Sequence, residues 1–216
     1  MSATTPLLRI VVLGASGATG QHLVDGALAR GHEVHAIVRD AARYSHSTSA
    51  RLTVHTGVVH DAASIAAAIT PASIVLSGLG LRSKKQAGTL TAGARAVLAA
   101  RPHHVVWLGA IGTGRSATAV GRLTHRLLKA GFGAEYDDKT TADCLILDAQ
   151  HTVIHSGPLN DRPAPHYEAL PLSSVRRRFF PAFTPRQAVA QVMLDEAEKG
   201  PHSASLLVPQ KTDRTH

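Results

Sequence analysis

The stretch Leu7-Leu8-Arg9-Ile10-Val11-Val12-Leu13-Gly14-Ala15-Ser16-Gly17-Ala18-Thr19-Gly20 decides the fold. Its first half is a nearly continuous apolar run rich in β-branched side chains, the pattern of a strand buried on both faces of a parallel sheet. Its second half sets glycines at 14, 17 and 20, and residues 18–30 then read as a helix with Leu23, Val24, Ala27 and Leu28 on one face and Gly31 as its stop. A glycine-rich turn between a strand and a helix is the context in which such a pattern cradles phosphate. Gly14 permits the tight turn off the strand. Gly17 lets backbone N–H groups approach a pyrophosphate with no Cβ in the way, and Gly20 lets the helix pack closely. Ser16 and Thr19, either side of Ala18, offer hydroxyl donors, and the helix N-terminus adds favourable partial charge.

The alternation continues outward from this unit. Strands are predicted at 33–38, 52–55, 73–77 (running into Gly78-Leu79-Gly80), 104–108, 151–155 and 203–208. A helix capped by Asp61 runs to Ile69, and another covers 86–100 with Leu90, Ala94, Val97 and Leu98 on its buried face. Residues 109–118 read as a loop. Two helical stretches, 119–132 and 135–149, are expected to break at Gly131-Phe132-Gly133. The run Thr184-Pro185-Arg186-Gln187 reads as a helix start, with Thr184 as N-cap, Pro185 in the first turn and Gln187 completing a capping box, and Gly200 as the stop. Alternating strands and helices with short connections give an α/β fold: a Rossmann-like, doubly wound parallel sheet. Residues 1–216 are expected to form a single domain, with a small, irregular C-terminal substrate lobe at about 157–181.

The composition narrows the function classes. The 216 residues are 44% hydrophobic and 4% aromatic, with a formal net charge of +8. The basic residues are scattered. Their dense runs, Lys84-Lys85 and Arg176-Arg177-Arg178, lack the interleaved aromatics of a nucleic-acid platform and read as solvated faces. No nucleic-acid partner is expected. A single cysteine, Cys144, suits a reducing compartment. No apolar run reaches the roughly 18 residues of a membrane span, and residues 1–6 show no charged leader. The expectation is a cytoplasmic monomer or homodimer acting on a small molecule, with no membrane partner.

The second strand ends Val38-Arg39-Asp40, about twenty residues past the last glycine, where dinucleotide folds read the ribose. An acid there takes the 2′-hydroxyl of NAD, whereas an arginine pairs with the 2′-phosphate of NADP. Arg39 in that place favours NADP(H), with Arg43 in reach to assist; the alternative has Arg39 solvated and Asp40 reading NAD. Asp137-Asp138 has no third ligand at useful spacing, so no metal site is expected.

The loop Gly14-Ala15-Ser16-Gly17-Ala18-Thr19-Gly20 resembles that of the atypical short-chain dehydrogenase/reductases, in the small NAD(P)H-binding branch that includes biliverdin reductase B and the NmrA-like proteins. Residues 27–40 resemble the family's second-strand unit, 57–69 its adenine-side turn and helix, Ser156-Gly157-Pro158-Leu159 its nicotinamide-side turn, and 184–194 its closing helix. The resemblance thus covers most of the chain. It implies that the cofactor is bordered by Gly78 and Leu79 after the fourth strand and Val59 at the adenine. Val58 stands where relatives often carry an aspartate. It further implies that Gly109, Ala110, Gly157, Pro158 and Leu159 lie near the nicotinamide, with Lys139 on its ribose.

The catalytic pattern of the wider superfamily, a serine beside strand five and a tyrosine four residues before a lysine, is not intact. Strand five continues Leu108-Gly109-Ala110-Ile111-Gly112, and Tyr136 precedes Lys139 by three residues. Lys139 and Tyr136 remain the catalytic candidates, with solvent as an alternative proton source. Ser77, Thr113, Ser116 and Asn160 lie on expected loops at strand ends, and His125 and His155 titrate in the useful range, but each reads more simply as structural or solvated. The expected activity is NADPH-dependent reduction of a small conjugated acceptor such as a flavin, quinone, enone or ketone. The alternatives are an NADP-bound isomerase, dehydratase or cyclase without net redox, and a non-enzymatic NADP(H)-sensing regulator.

Overall fold

A computed structural model describes residues 6–46, 49–80, 86–119, 122–175, 180–201 and 203–212, with the backbone alone for residues 118 and 122–132. Five parallel strands come first: β1 (Arg9–Leu13), β2 (Glu33–Val38), β3 (Leu52–Thr56), β4 (Ser73–Ser77) and β5 (His104–Ala110). Helices α1 (Ala18–Ala29), α2 (Ala62–Ala66) and α3 (Thr89–Ala99) connect them, and α4 (Arg122–Asp148) leads into β6 (Thr152–Ser156). The C-terminal part adds β7 (Leu159–Asn160), β8 (Tyr167–Pro171), β9 (Thr184–Pro185), α5 (Arg186–Lys199) and β10 (Ser205–Lys211). The main sheet has the order β3-β2-β1-β4-β5-β6-β10-β8, parallel up to β10 and closed by the antiparallel edge strand β8. The strand sequence reverses direction between β1 and β4, which opens a crevice beyond their carboxyl ends.

Both faces of the sheet are buried, as the unbroken apolar strands require. Ile10 and Val12 point into a core with Leu23, Val24 and Ala27 of α1 and Val189, Val192 and Met193 of α5. Val11 and Leu13 point the other way, into a core with Ile65, Leu90, Ala94, Val97, Trp107, Ala142 and Ile146. Helices α1 and α5 therefore cover one face and α2, α3 and α4 the other.

Four local expectations are corrected. The two helices around Gly131-Phe132-Gly133 are one continuous helix, α4. Each glycine costs about 1 kcal/mol against alanine but does not break the hydrogen-bond ladder, and residues 136–147 anchor the helix through buried Tyr136, Ala142, Ile146 and Leu147. Thr184 does not cap α5. It pairs with Leu159 across the β7–β9 ladder, its N–H donating to Pro158 O at 2.9 Å, so the chain stays extended through Pro185 and the helix starts at Arg186 with no side-chain cap. Residues 109–118 are not all loop, because β5 extends to Ala110 and a 3₁₀ turn spans Gly114–Ala119. The segment 157–181 is not irregular throughout, because its described residues include β7, β8 and a 3₁₀ turn at Leu172–Ser174. Pro171 ends β8 on the sheet edge, where a missing N–H is tolerated.

Candidate functional site

The glycine loop leaves β1 at Gly14 with φ +78°, a left-handed conformation that a side chain would strain. The Gly17 N–H closes the turn on Gly14 O at 2.9 Å, and the Gly78 N–H ties the loop's entrance to β4 through Leu13 O at 3.0 Å. Gly20 faces the turn so closely that a Cβ there would lie 2.2 Å from Gly14 O. Gly17 is the N-cap of α1 and no side chain caps the helix, so its N-terminal dipole and amide donors are left available.

They face a cavity of about 1100 Å³ along the carboxyl edge of the sheet. Its wall includes Gly14, Ser16, Gly17, Ala18, Thr19, Arg39, Val59, Gly78, Leu79, Gly109, Ala110, Lys139, Gly157, Pro158 and Leu159. Every expected cofactor-side residue therefore lines one cavity, apart from Gly20, which supports the loop from behind. Among the described lining residues the formal cations are Arg39, Lys139 and Arg186, and there is no aspartate or glutamate. A phosphate-bearing dinucleotide fits this balance of charge together with the uncapped helix end.

The two candidates for the ribose end have different local partners. Asp40 accepts from the Ala42 N–H at 3.0 Å and pairs with Arg43 at 3.3 Å. Asp40 thus caps the turn Ala41–Arg43, and neither Asp40 nor Arg43 lines the cavity. Arg39 does line it, and has no ion pair among the described residues.

Tyr136 is not brought to the cavity. It is buried, its hydroxyl donates to Gly112 O at 3.2 Å, and burial pushes its phenol above the usual range, so it stays a neutral donor to the 110–116 loop. Ser77, Thr113, Ser116 and Asn160 also lie off the cavity wall. The Asp138 carboxylate accepts from the Leu90 and Thr91 N–H groups and the Thr91 hydroxyl, and so caps α3. The side chain of His125 and the runs Lys84-Lys85 and Arg176-Arg177-Arg178 lie outside the described residues.

A buried network behind Gly109 was not foreseen from the sequence. His155 Nε2 donates to Asp143 Oδ2 at 2.8 Å, and His155 Nδ1 lies 2.6 Å from Ser116 Oγ. Ser116 Oγ accepts from the Gly112 N–H at 2.9 Å, while Thr113 Oγ1 donates to Ala110 O at 2.7 Å and lies 3.3 Å from Asp143 Oδ2. His155 is 1% exposed and Ser116 0%, so the serine cannot reach a substrate. A Cβ on Gly109 would lie 2.6 Å from His155 Cδ2, which puts the network directly behind the wall. The spacing of Lys139 and Asp143, four residues apart on one helix face, was the available signal. Arg186, Phe180 and Pro181, which also line the cavity, gave none, because their place depends on the β7–β9 pairing.

A sequence model of the family described as NAD(P)H-binding matches residues 14–199, which is most of the chain. The chain belongs to the NAD(P)H-binding family. That membership agrees with the resemblance of the Gly14–Gly20 loop to the atypical short-chain dehydrogenase/reductases. No curated protein matches the chain by sequence. Similar solved structures include the anaerobilin reductase ChuY of Escherichia coli, at 20% identity and TM-score 0.73, covering 96% of this chain and 99% of that one. A short-chain dehydrogenase/reductase of Veillonella parvula in complex with NADP has 17% identity and TM-score 0.75, covering 98% and 97%. The oxidoreductase YlbE of Lactococcus lactis has 13% identity and TM-score 0.75, covering 95% and 92%. At these identities the likeness is one of fold. Among the described residues no helix is long and apolar enough to cross a membrane.

Proposed function

We propose that the protein is an NADPH-dependent reductase of a small conjugated acceptor. The observation that carries this reading is the cavity itself: an uncapped helix N-terminus over a glycine loop, continuous with a wall that holds three cations and no carboxylate among its described residues. Family membership supports NAD(P)H as the ligand. Arg39, without an ion pair among the described residues and beside an Asp40 that caps the following turn, favours the phosphorylated form.

In this reading Ser16 and Thr19 donate to phosphate oxygens, Arg39 pairs with the 2′-phosphate and Lys139 donates to the nicotinamide ribose. Gly109, Ala110, Gly157 and Pro158 form the close wall that holds the nicotinamide face toward the acceptor, and orientation supplies most of the rate. When bound, NADPH supplies a hydride to the acceptor, which gains a proton from water. Solvent is the proton source because the Tyr136 hydroxyl is spent on Gly112 O. The single thiol, Cys144, stays reduced in the cytoplasm, where we place the reaction.

The test is NADPH consumption with flavin, quinone and enone acceptors under anaerobic conditions. One NADPH oxidised per acceptor reduced, with NADH much slower, is the expected result. Tight NADP(H) binding with no consumption in the presence of any acceptor contradicts a reductase and leaves a non-redox enzyme or a cofactor-sensing regulator.

A further inference from the structure

Arg39 and Arg186, two of the cavity's three cations, stand at opposite ends of it. Arg39 follows β2, whereas Arg186 opens α5 beside Leu159, which follows β6. In the sheet order β2 and β6 are separated by β1, β4 and β5. At about 4.8 Å per strand that is roughly 19 Å, and roughly 14 Å from the β1 loop that cradles the pyrophosphate. These spans exceed the Debye length of about 8 Å at physiological salt. The charges of the dinucleotide are met by the α1 N-terminus and Arg39, Lys139 is engaged by the nicotinamide ribose, and Arg186 is left over at the far end.

Arg186 is held ready rather than locked away. Nη1 lies 2.8 Å from Asp161 Oδ1, with the arginine side chain 24% exposed and the aspartate 73%. A single contact to so exposed a carboxylate is readily exchanged. The guanidinium has further N–H donors in a planar fork that matches a carboxylate or phosphate. Leu159, Pro181 and Phe180 line the same cavity, and Phe180 is 65% exposed. A cavity that combines an apolar, partly aromatic surface with an arginine suits a flat ring that carries an anionic group.

We propose that Arg186 is the specificity residue for an anionic acceptor: a flat conjugated molecule bearing a carboxylate, phosphate or sulfonate, which displaces Asp161 from the guanidinium as it binds. The proposal rests on the reductase reading for the side of the cavity that the cofactor occupies.

Two pairs of acceptors that share a ring and differ in charge test it: flavin mononucleotide against riboflavin, and naphthoquinone sulfonate against naphthoquinone. Their affinities are measured by titration into the protein saturated with NADP⁺, and their KM values in turnover. The anionic member of at least one pair binds about ten- to a hundredfold more tightly to the wild type, the range of charged hydrogen bonds. Arg186→Ala abolishes that preference through KM, with affinity for NADPH unchanged. Arg186→Lys keeps part of it, and Asp161→Asn strengthens anion binding a few-fold by removing the competitor. Equal affinity within both pairs, a preference that survives Arg186→Ala, or no binding of any of the four to the NADP⁺ complex overturns the proposal. A wild type that does not bind NADP(H) at all fails the cofactor reading instead, and the first titration shows it.

Discussion

Gly20→Ala is expected to remove most of the affinity for the dinucleotide and to destabilise the fold by about 3 kcal/mol, at the upper end of the usual cost of overpacking. The added methyl carbon would meet Gly14 O at 2.2 Å, Ala15 Cα at 2.8 Å and Gly14 C at 2.9 Å, all of them backbone. No flexible side chain is there to turn aside. Retreat of α1 would open its packing of Leu23 and Val24 against Val189 and Met193 of α5, and retreat of the loop would move Gly14 and Gly17 out of the phosphate cradle. Urea denaturation and an NADPH titration read the two effects separately. Gly80→Ala is the control for stability: a Cβ there meets nothing within 4 Å, so its midpoint stays within about 0.5 kcal/mol of the wild type. A Gly20→Ala protein with wild-type stability and affinity would mean that the close approach is not a working contact.

The second large effect is at the buried network. His155→Leu leaves the Asp143 carboxylate, 3% exposed, with the Thr113 hydroxyl at 3.3 Å as its remaining partner and with Oδ1 unpaired among the described residues. Removing the partner of a buried carboxylate leaves an uncompensated buried charge and costs about 3–5 kcal/mol, whereas replacing both groups by apolar ones is often close to neutral. The single variant His155→Leu is therefore expected to lose at least about 3 kcal/mol in urea. The double variant His155→Leu/Asp143→Leu should recover much of that loss, a coupling that a double-mutant cycle measures. Strictly additive, small losses would show that the network contributes little. Because the network lies behind Gly109, the single variant should also weaken binding on the nicotinamide side through displacement of the 110–116 loop.

The sheet and the cofactor loop were legible because their signals are local. A strand buried on both faces must be apolar throughout, and a turn that crosses a pyrophosphate must omit Cβ atoms. Gly14, Gly17 and Gly20 report that demand without knowledge of the rest of the chain. The place of Arg39 on the cavity wall was legible for a similar reason, its distance from the loop being fixed by one helix and one strand. What the sequence concealed depends on long-range pairing or on helix phase. Thr184 carries the residues of a cap, yet β-pairing with Leu159 wins and moves the helix start to Arg186. In α4, Tyr136, Lys139 and Asp143 share one side at helical spacing, but their ends differ: Gly112 O, the cavity and His155 respectively. Sequence spacing showed that a tyrosine and a lysine were near each other, and only the position of the 110–116 loop showed that the tyrosine was engaged elsewhere. His155 and Ser116 are separated by the whole of α4, so no motif joins them.

The central claim is that the cavity holds NADP(H) with Arg39 on the 2′-phosphate. Fluorescence titration of the purified protein with NADPH and with NADH, on the wild type and on Arg39→Ala, tests it most directly. The expected result is NADPH bound at least about tenfold more tightly than NADH by the wild type, the worth of a charge-assisted pair, with the Arg39→Ala variant binding both equally at the NADH level. Equal affinity for the two nucleotides in the wild type, or an Arg39→Ala variant that keeps the preference, would contradict it.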